Sequence, residues 1–227
     1  MSFLGAARHR HNNVLFYQDN HCLERLRQEA LSRISSASNE EMLETDVEWY
    51  ISMLIVNLHA EPIALADPVM ERPRETSVEV PDFFDRNLVR VPGLIHRIKY
   101  PFTGFAPLIN RKPNTWFSVF PRGIVEENTV IFEYALPGHE HSEELKKNHQ
   151  ENFELFQKYL ANANDNFQNF MSRLPDEIAT AIEVRRKQLK SIDSYGDLLG
   201  IPIEASTDSH KTEKKPVIAL RGYLRSL

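Results

Sequence analysis

The sequence predicts an α+β fold: an N-terminal helical pair, a small, mainly antiparallel sheet, and a long, kinked C-terminal helix packed on it. Three observations predict it. Apolar residues recur at three- and four-residue steps across residues 142–192, the period of one helix face. Segments that alternate apolar and polar side chains, the period of a half-buried strand, gather in the middle third. Two shorter stretches of helical period precede them.

Residues up to Gln18 carry no period, and Arg8-His9-Arg10-His11 reads as a solvated basic cluster. Asp19 is placed to cap a first helix with Leu23, Leu26, Ala30 and Ile34 on one side. Ser38, with Glu41 three residues on, has capping-box spacing and opens a second helix striped by Val47, Tyr50, Ile51, Leu54 and Leu58. A short Ser-rich turn joins the two, so an antiparallel pair is expected. Glu40, Glu41, Glu44 and Asp46 suit the positive end of that second helix and need no catalytic explanation.

Pro62, Pro68 and Pro73 break any helix over residues 61–75, leaving a linker with a short strand at Ile63-Ala64-Leu65. Ser77-Val78-Glu79-Val80 alternates. In residues 96–102, His96, Ile98, Tyr100 and Phe102 face one way and Arg97 and Lys99 the other. Residues 115–120 and 129–135 read as two further strands, with turn residues at Pro121-Arg122-Gly123 and Glu126-Glu127-Asn128. Ser142, Glu143 and Glu144 then start the long helix, whose stripe is Leu145, Phe153, Phe156, Leu160, Ala163, Phe167, Phe170, Leu174, Ile178, Ile182 and Leu189. At ~1.5 Å per residue it would be on the order of 75 Å long, so a kink, a fold-back or a partner is expected. Pro175 marks a kink or a tight break that keeps one face buried, because the stripe stays in phase across it. Beyond residue 192, Leu198-Leu199-Gly200-Ile201-Pro202 is expected to dock, residues 205–216 are polar, and residues 217–227 offer a last strand or helical turn. The expected divisions are residues 1–75 (helices and linker), 76–204 (sheet and long helix) and 205–227 (polar tail).

With 27 basic and 32 acidic residues the net charge is −5, so nothing global recruits nucleic acid or membrane. The single cysteine, Cys22, permits no internal disulfide and reads as a buried structural thiol. The opening residues lack a long apolar run, and the greasiest stretch, residues 50–56, is far short of the ~20 residues a membrane span needs. A cytoplasmic protein without membrane contact is expected.

The most distinctive charge pattern lies in the sheet. From Arg86 to Arg122 the charged residues are Arg86, Arg90, Arg97, Lys99, Arg111, Lys112 and Arg122, with no acid among them, and Tyr100, Phe102, Phe105, Trp116, Phe117 and Phe120 interleave. Basic groups track phosphates and rings stack on bases, so Arg97, Lys99, Tyr100, Arg111, Lys112, Trp116 and Arg122 are candidate nucleic-acid or nucleotide contacts. The competing reading, which the strand alternation favours, puts the rings in the core and the cations in solvent or against the acidic helices. Arg185 and Arg186 join the candidates, although cations near a helix C-terminus need no ligand.

Metal chemistry finds little footing. His9, His11 and His21 lack completing ligands. His139, His141, Glu143, Glu144 and His149 have poor helical spacing and read as a solvated loop and helix start. Glu213-Lys214-Lys215 spells a nuclease-like Glu-x-Lys but lies in a polar tail, and Asp208-Ser209-His210 are neighbours that seldom form a triad. No phosphate-binding glycine loop, His-Glu-x-x-His or Gly-x-Ser-x-Gly is present. Neither a cofactor nor a metal is expected.

Tyr100-Pro101-Phe102-Thr103-Gly104 is followed by strands, then by Tyr159-Leu160, Asn162, Asn164-Asp165, Phe167 and Asn169, and finally by Leu174, Arg185-Arg186-Lys187 and Leu199-Gly200-Ile201-Pro202. Over residues 87–202 this order resembles the N-terminal region of bacterial antiviral-defence-associated proteins that continue into a restriction-endonuclease-like nuclease domain. The resemblance implies a sensing, scaffolding or partner-binding module, and the nuclease residues have no counterpart here. The expected function is thus a non-enzymatic interaction or scaffold subunit of a defence system. It would assemble through its long helix, with a protein partner or a second copy. A nucleic-acid-binding protein using the basic aromatic sheet and a small metal-dependent nuclease are the alternatives.

Overall fold

The computed structural model describes residues 14–17, 21–82, 87–112, 114, 119–138 and 142–200. It is α+β, as expected: three short helices, a six-stranded sheet and one long helix, with every strand pairing among the described residues antiparallel. The chain divides into two compact units, Met1–Arg186 and Lys187–Leu227.

Helix α1 (Cys22–Ser36) buries Cys22, Leu23, Leu26, Ala30 and Ile34, the expected stripe plus the thiol. Asp19 lies outside the described residues; the cap position is held by His21, whose side chain makes no capping hydrogen bond. The expected second helix is in fact two. In α2 (Asn39–Glu44) the Ser38 side chain accepts from Glu41 N, as the capping-box spacing predicts. The helix then stops, because Asp46 turns extended and caps a new one, α3 (Val47–Asn57), by accepting from Trp49 N at 2.8 Å. Asp46 is therefore a cap between helices and not one more acid in a first turn.

The sheet is organised on one strand. β4 (Leu88–Thr103) is 16 residues long. Along one edge it pairs in turn with β3 (Arg74–Pro81), β2 (Val69–Met70) and β1 (Ala64–Leu65). Pro62, Pro68 and Pro73 punctuate these partners, which is why the expected linker supplies several short strands in place of one long one. The other edge takes β6 (Thr129–Pro137), to which β5 (Ile124–Glu126) adds as a short hairpin. The strand expected at 115–120 falls largely outside the described residues. Val119 and Phe120 are not in a strand, and the hairpin partner of β6 lies later, at β5. After Thr103 the chain must turn sharply toward a 3-10 turn (Ala106–Asn110) that buries Leu108 and Ile109. Gly104 makes that turn with φ +101°, and an added Cβ would lie 2.3 Å from the Pro62 carbonyl oxygen. Only glycine fits both requirements.

Helix α4 (Ser142–Leu199) runs for 58 residues. Its helical assignment is unbroken through Pro175, so the expected tight break does not occur, and the helix outlasts its expected end at residue 192. Within the first unit it buries Phe156, Tyr159, Leu160, Ala163, Phe167, Leu174, Ile178 and Ile182. In the second unit Leu198 is 79% exposed; Ile201 and Pro202 of the segment expected to dock lie outside the described residues, as do residues 205–227. Leu15 and Phe16, in the segment expected to be irregular, are buried, and the Phe16 ring lies 5.6 Å from Phe156 and 5.4 Å from Tyr159.

Two asparagines fasten the helix to extended chain. Asn152 accepts from Arg122 N at 2.9 Å and donates to Arg122 O at 2.8 Å. Asn164 does the same for Ile63, with both distances 2.9 Å. Each amide thus presents the donor and acceptor that a neighbouring strand would. Farther along, Arg186 donates to Met42 O at 2.7 Å and to Thr45 O, satisfying carbonyls at the C-terminus of α2.

Replacing Gly104 with alanine is expected to lower the unfolding free energy by about 3 kcal/mol, since it adds both a clash and a left-handed backbone cost. A urea titration reads this as a lower midpoint at unchanged slope; a midpoint equal to the parent's would contradict the assignment.

Candidate functional site

On β4 and β6 the period-two alternation places His96 opposite Tyr134, Ile98 opposite Phe132, and Tyr100 opposite Val130. The rings on that face meet α4, where His149, Phe153 and Phe156 share one side at four- and three-residue steps. Tyr100 stacks on Phe153 at 4.5 Å and on His149 at 5.9 Å, while Phe132 meets Phe156 edge-on at 5.4 Å. His149 sits between two phenols: Tyr100 Oη lies 2.9 Å from Nε2 and Tyr134 Oη 3.1 Å from Nδ1.

The direction of this chain of bonds follows from Asn152. Its pairing with the Arg122 peptide fixes which end of the amide is NH2, and the second hydrogen of that nitrogen reaches Tyr134 Oη at 3.4 Å. The Tyr134 hydroxyl is then free to donate to His149 Nδ1, and in the tautomer that matches this the imidazole hydrogen is on Nε2 and donates to Tyr100. Burial holds the His149 pKa below its ordinary value and does the same for His96. Burial also raises Tyr100, and it pushes Tyr134 up to about 12 against the opposing bond from Asn152. The network is therefore uncharged near neutral pH. With both ring nitrogens engaged, His149 has no lone pair to offer a metal.

The sequence groups His149 with a solvated loop and helix start. It is instead half-buried among rings, which is the natural consequence of its phase: it lies four residues from both Leu145 and Phe153 and fills the gap in the apolar stripe between them. Tyr134 and Asn152 join it for the same reason of facing, and sequence spacing along α4 was the signal that could have found His149 and Asn152. His139 and His141 lie outside the described residues. Among the described residues no group of three or more His, Cys, Asp or Glu side chains is arranged to hold a metal ion.

The basic candidates are not gathered in one place. Tyr100 points into the ring core, on the face of β4 opposite to Arg97 and Lys99. Arg97, its side chain only 15% exposed, contacts Glu126 at 3.0 Å, Glu133 at 3.3 Å and Glu71 at 3.4 Å. Lys99 also pairs with Glu71, and Arg74 approaches it at 3.9 Å. The hydrogen bond from Lys99 holds the Glu71 carboxyl below the usual carboxylate range, with Arg97 and Arg74 adding to the effect. Arg97 and Lys99, at the centre of the cationic run that the sequence displays, are thus matched across strands by three glutamates from outside that run. Arg111 and Lys112, half-buried, follow the 3-10 turn; the exposed Arg122 has its peptide held by Asn152; Arg185 is half-buried and Arg186 serves α2. Trp116 lies outside the described residues.

Comparison with protein-family models, curated proteins and solved structures returns no match. Among the described residues no helix is long and apolar enough to cross a membrane.

A histidine held neutral makes stability depend on pH. Its folded pKa is lowered from the ordinary value of about 6.5, so its contribution is full above that pH and is lost as pH falls through the folded value. Thermal midpoints measured from about pH 7 down to about pH 5 are expected to fall less steeply for His149→Gln than for the parent. Identical slopes would show that His149 is not held neutral by the fold.

Proposed function

We propose that this chain is a non-enzymatic interaction or scaffold subunit that assembles through α4, and that the assembly belongs to a bacterial defence system. One observation carries the first part. Toward its C-terminal end α4 exposes large apolar side chains, with Val184 at 50%, Ile192 at 50% and Leu198 at 79%. Apolar residues left in water along a helix are the raw material of helix-to-helix association. The engagement of Arg97 and Lys99 by glutamates supports an architectural use of the basic sheet over a phosphate-binding one. The defence assignment rests on the resemblance of residues 87–202 described above.

Sedimentation velocity from about 1 µM to about 100 µM tests the assembly, because association shifts with protomer concentration. The expected result is a mass above the monomer's that grows with concentration and falls back in Val184→Glu and Ile192→Glu. A monomer across the whole range would overturn it.

A further inference from the structure

A second surface stands apart from α4. Eight of the eleven residues of α3 are apolar, and they lie all round the helix, yet Tyr50 and Leu54 are its buried pair. A helix apolar on every side is ordinarily enclosed on every side. Here Trp49 is 60% and Val56 68% exposed. They are seven residues apart, so they stand on one face, with the half-buried Met53 between them. Tryptophan is the side chain most enriched where binding energy concentrates.

The charge carried by the segment itself is one-sided, although Arg186 of α4 reaches the Met42 and Thr45 carbonyls within it. Residues 39–57 hold Glu40, Glu41, Glu44, Asp46 and Glu48 and no Lys or Arg, a charge of −5 that equals the net charge of the whole 227-residue chain. All five are exposed. Helix-dipole stabilisation accounts for Glu40, Glu41 and Glu48 in the first turns of α2 and α3, whereas Glu44 sits at the C-terminal end of α2, where Arg186 donates to the Met42 and Thr45 carbonyls. In the sheet and on α4, by contrast, Glu71, Glu79, Glu126, Glu133 and Glu177 each meet a cation.

The geometry points to the Trp49–Met53–Val56 face as the docking site for a basic amphipathic helix of a partner protein. The partner's apolar stripe would cover Trp49 and Val56, and its Lys or Arg residues would meet Glu44, Asp46 and Glu48. This is helix-on-helix recognition by apolar anchors within a charged rim, which sets partner choice. The inference is independent of assembly through α4.

The test uses the full chain and a fluorescein-labelled helical peptide with leucines at three- and four-residue steps and lysines between them, followed by anisotropy. Expected is saturable binding that weakens with added salt, falls by about tenfold or more in Trp49→Ser, and falls again in the Glu44→Gln, Glu48→Gln double variant. Both changes lie on exposed side chains, and an unchanged far-UV circular dichroism spectrum keeps the comparison valid. Equal binding of a peptide with glutamates in place of the lysines, or full binding by Trp49→Ser, would overturn the proposal. So would loss of self-association in Trp49→Ser, which would make a second copy the occupant. Absent peptide binding with intact self-association would sink this inference while leaving assembly through α4 standing.

Discussion

Tyr100 lies on β4, the strand to which β1, β2, β3 and β6 are all hydrogen-bonded, and its ring rests on Phe153 of α4. That contact couples the two layers of the protein. Phe132 and Phe156 extend it on one side and His149 on the other, so the sheet and the helix meet through rings and not through backbone. Each buried ring removes roughly 150–250 Å² from water, and well-placed ring pairs add about 0.5–1.5 kcal/mol beyond that burial. Exposed ion pairs such as Arg27 with Glu177, at 2.7 Å, are worth about 0–1 kcal/mol. The ring seam therefore decides where α4 lies, and the ion pairs trim the result.

Polar groups then fix the register that rings alone would leave loose. Apolar contact is largely non-directional, whereas an amide that pairs with one peptide accepts a single position. Asn152 and Asn164, twelve residues apart on α4, each seize one backbone residue, Arg122 and Ile63. His149 adds a third fixed point between two phenols. The bonds of Asn164 and His149 are part-buried, and a buried donor or acceptor stripped of its partner costs about 1–3 kcal/mol; the Asn152–Arg122 pair is exposed and weighs less.

Much of this architecture was legible in the sequence. The buried residues Leu23, Leu26, Ala30 and Ile34, the alternation of β4 and the stripe of α4 follow directly from period. What was hidden depended on groups distant in sequence. Glu71, Glu126 and Glu133 reach Arg97 only once β4 and β6 are paired and β2 has brought Glu71 alongside, so the stretch from Arg86 to Arg122 reads as a cationic platform until the sheet is formed. Leu15 and Phe16 belong to the core without belonging to any periodic element. The break at Asp46 was concealed because an acid serves equally well in a first turn and as a cap. His149 reads as part of a solvated helix start because an imidazole does not count toward a hydrophobic stripe, although its phase matches that of Leu145 and Phe153.

If the ring seam couples the layers, sheet and helix must open together. Native-state hydrogen exchange across a denaturant series measures this directly. The account predicts that amides of β4, β6 and the stretch of α4 from Phe153 to Ile182 share one opening free energy, and that Phe153→Leu lowers it for all three alike. Helix amides that open well below those of β4, or a Phe153→Leu effect confined to α4, would contradict it.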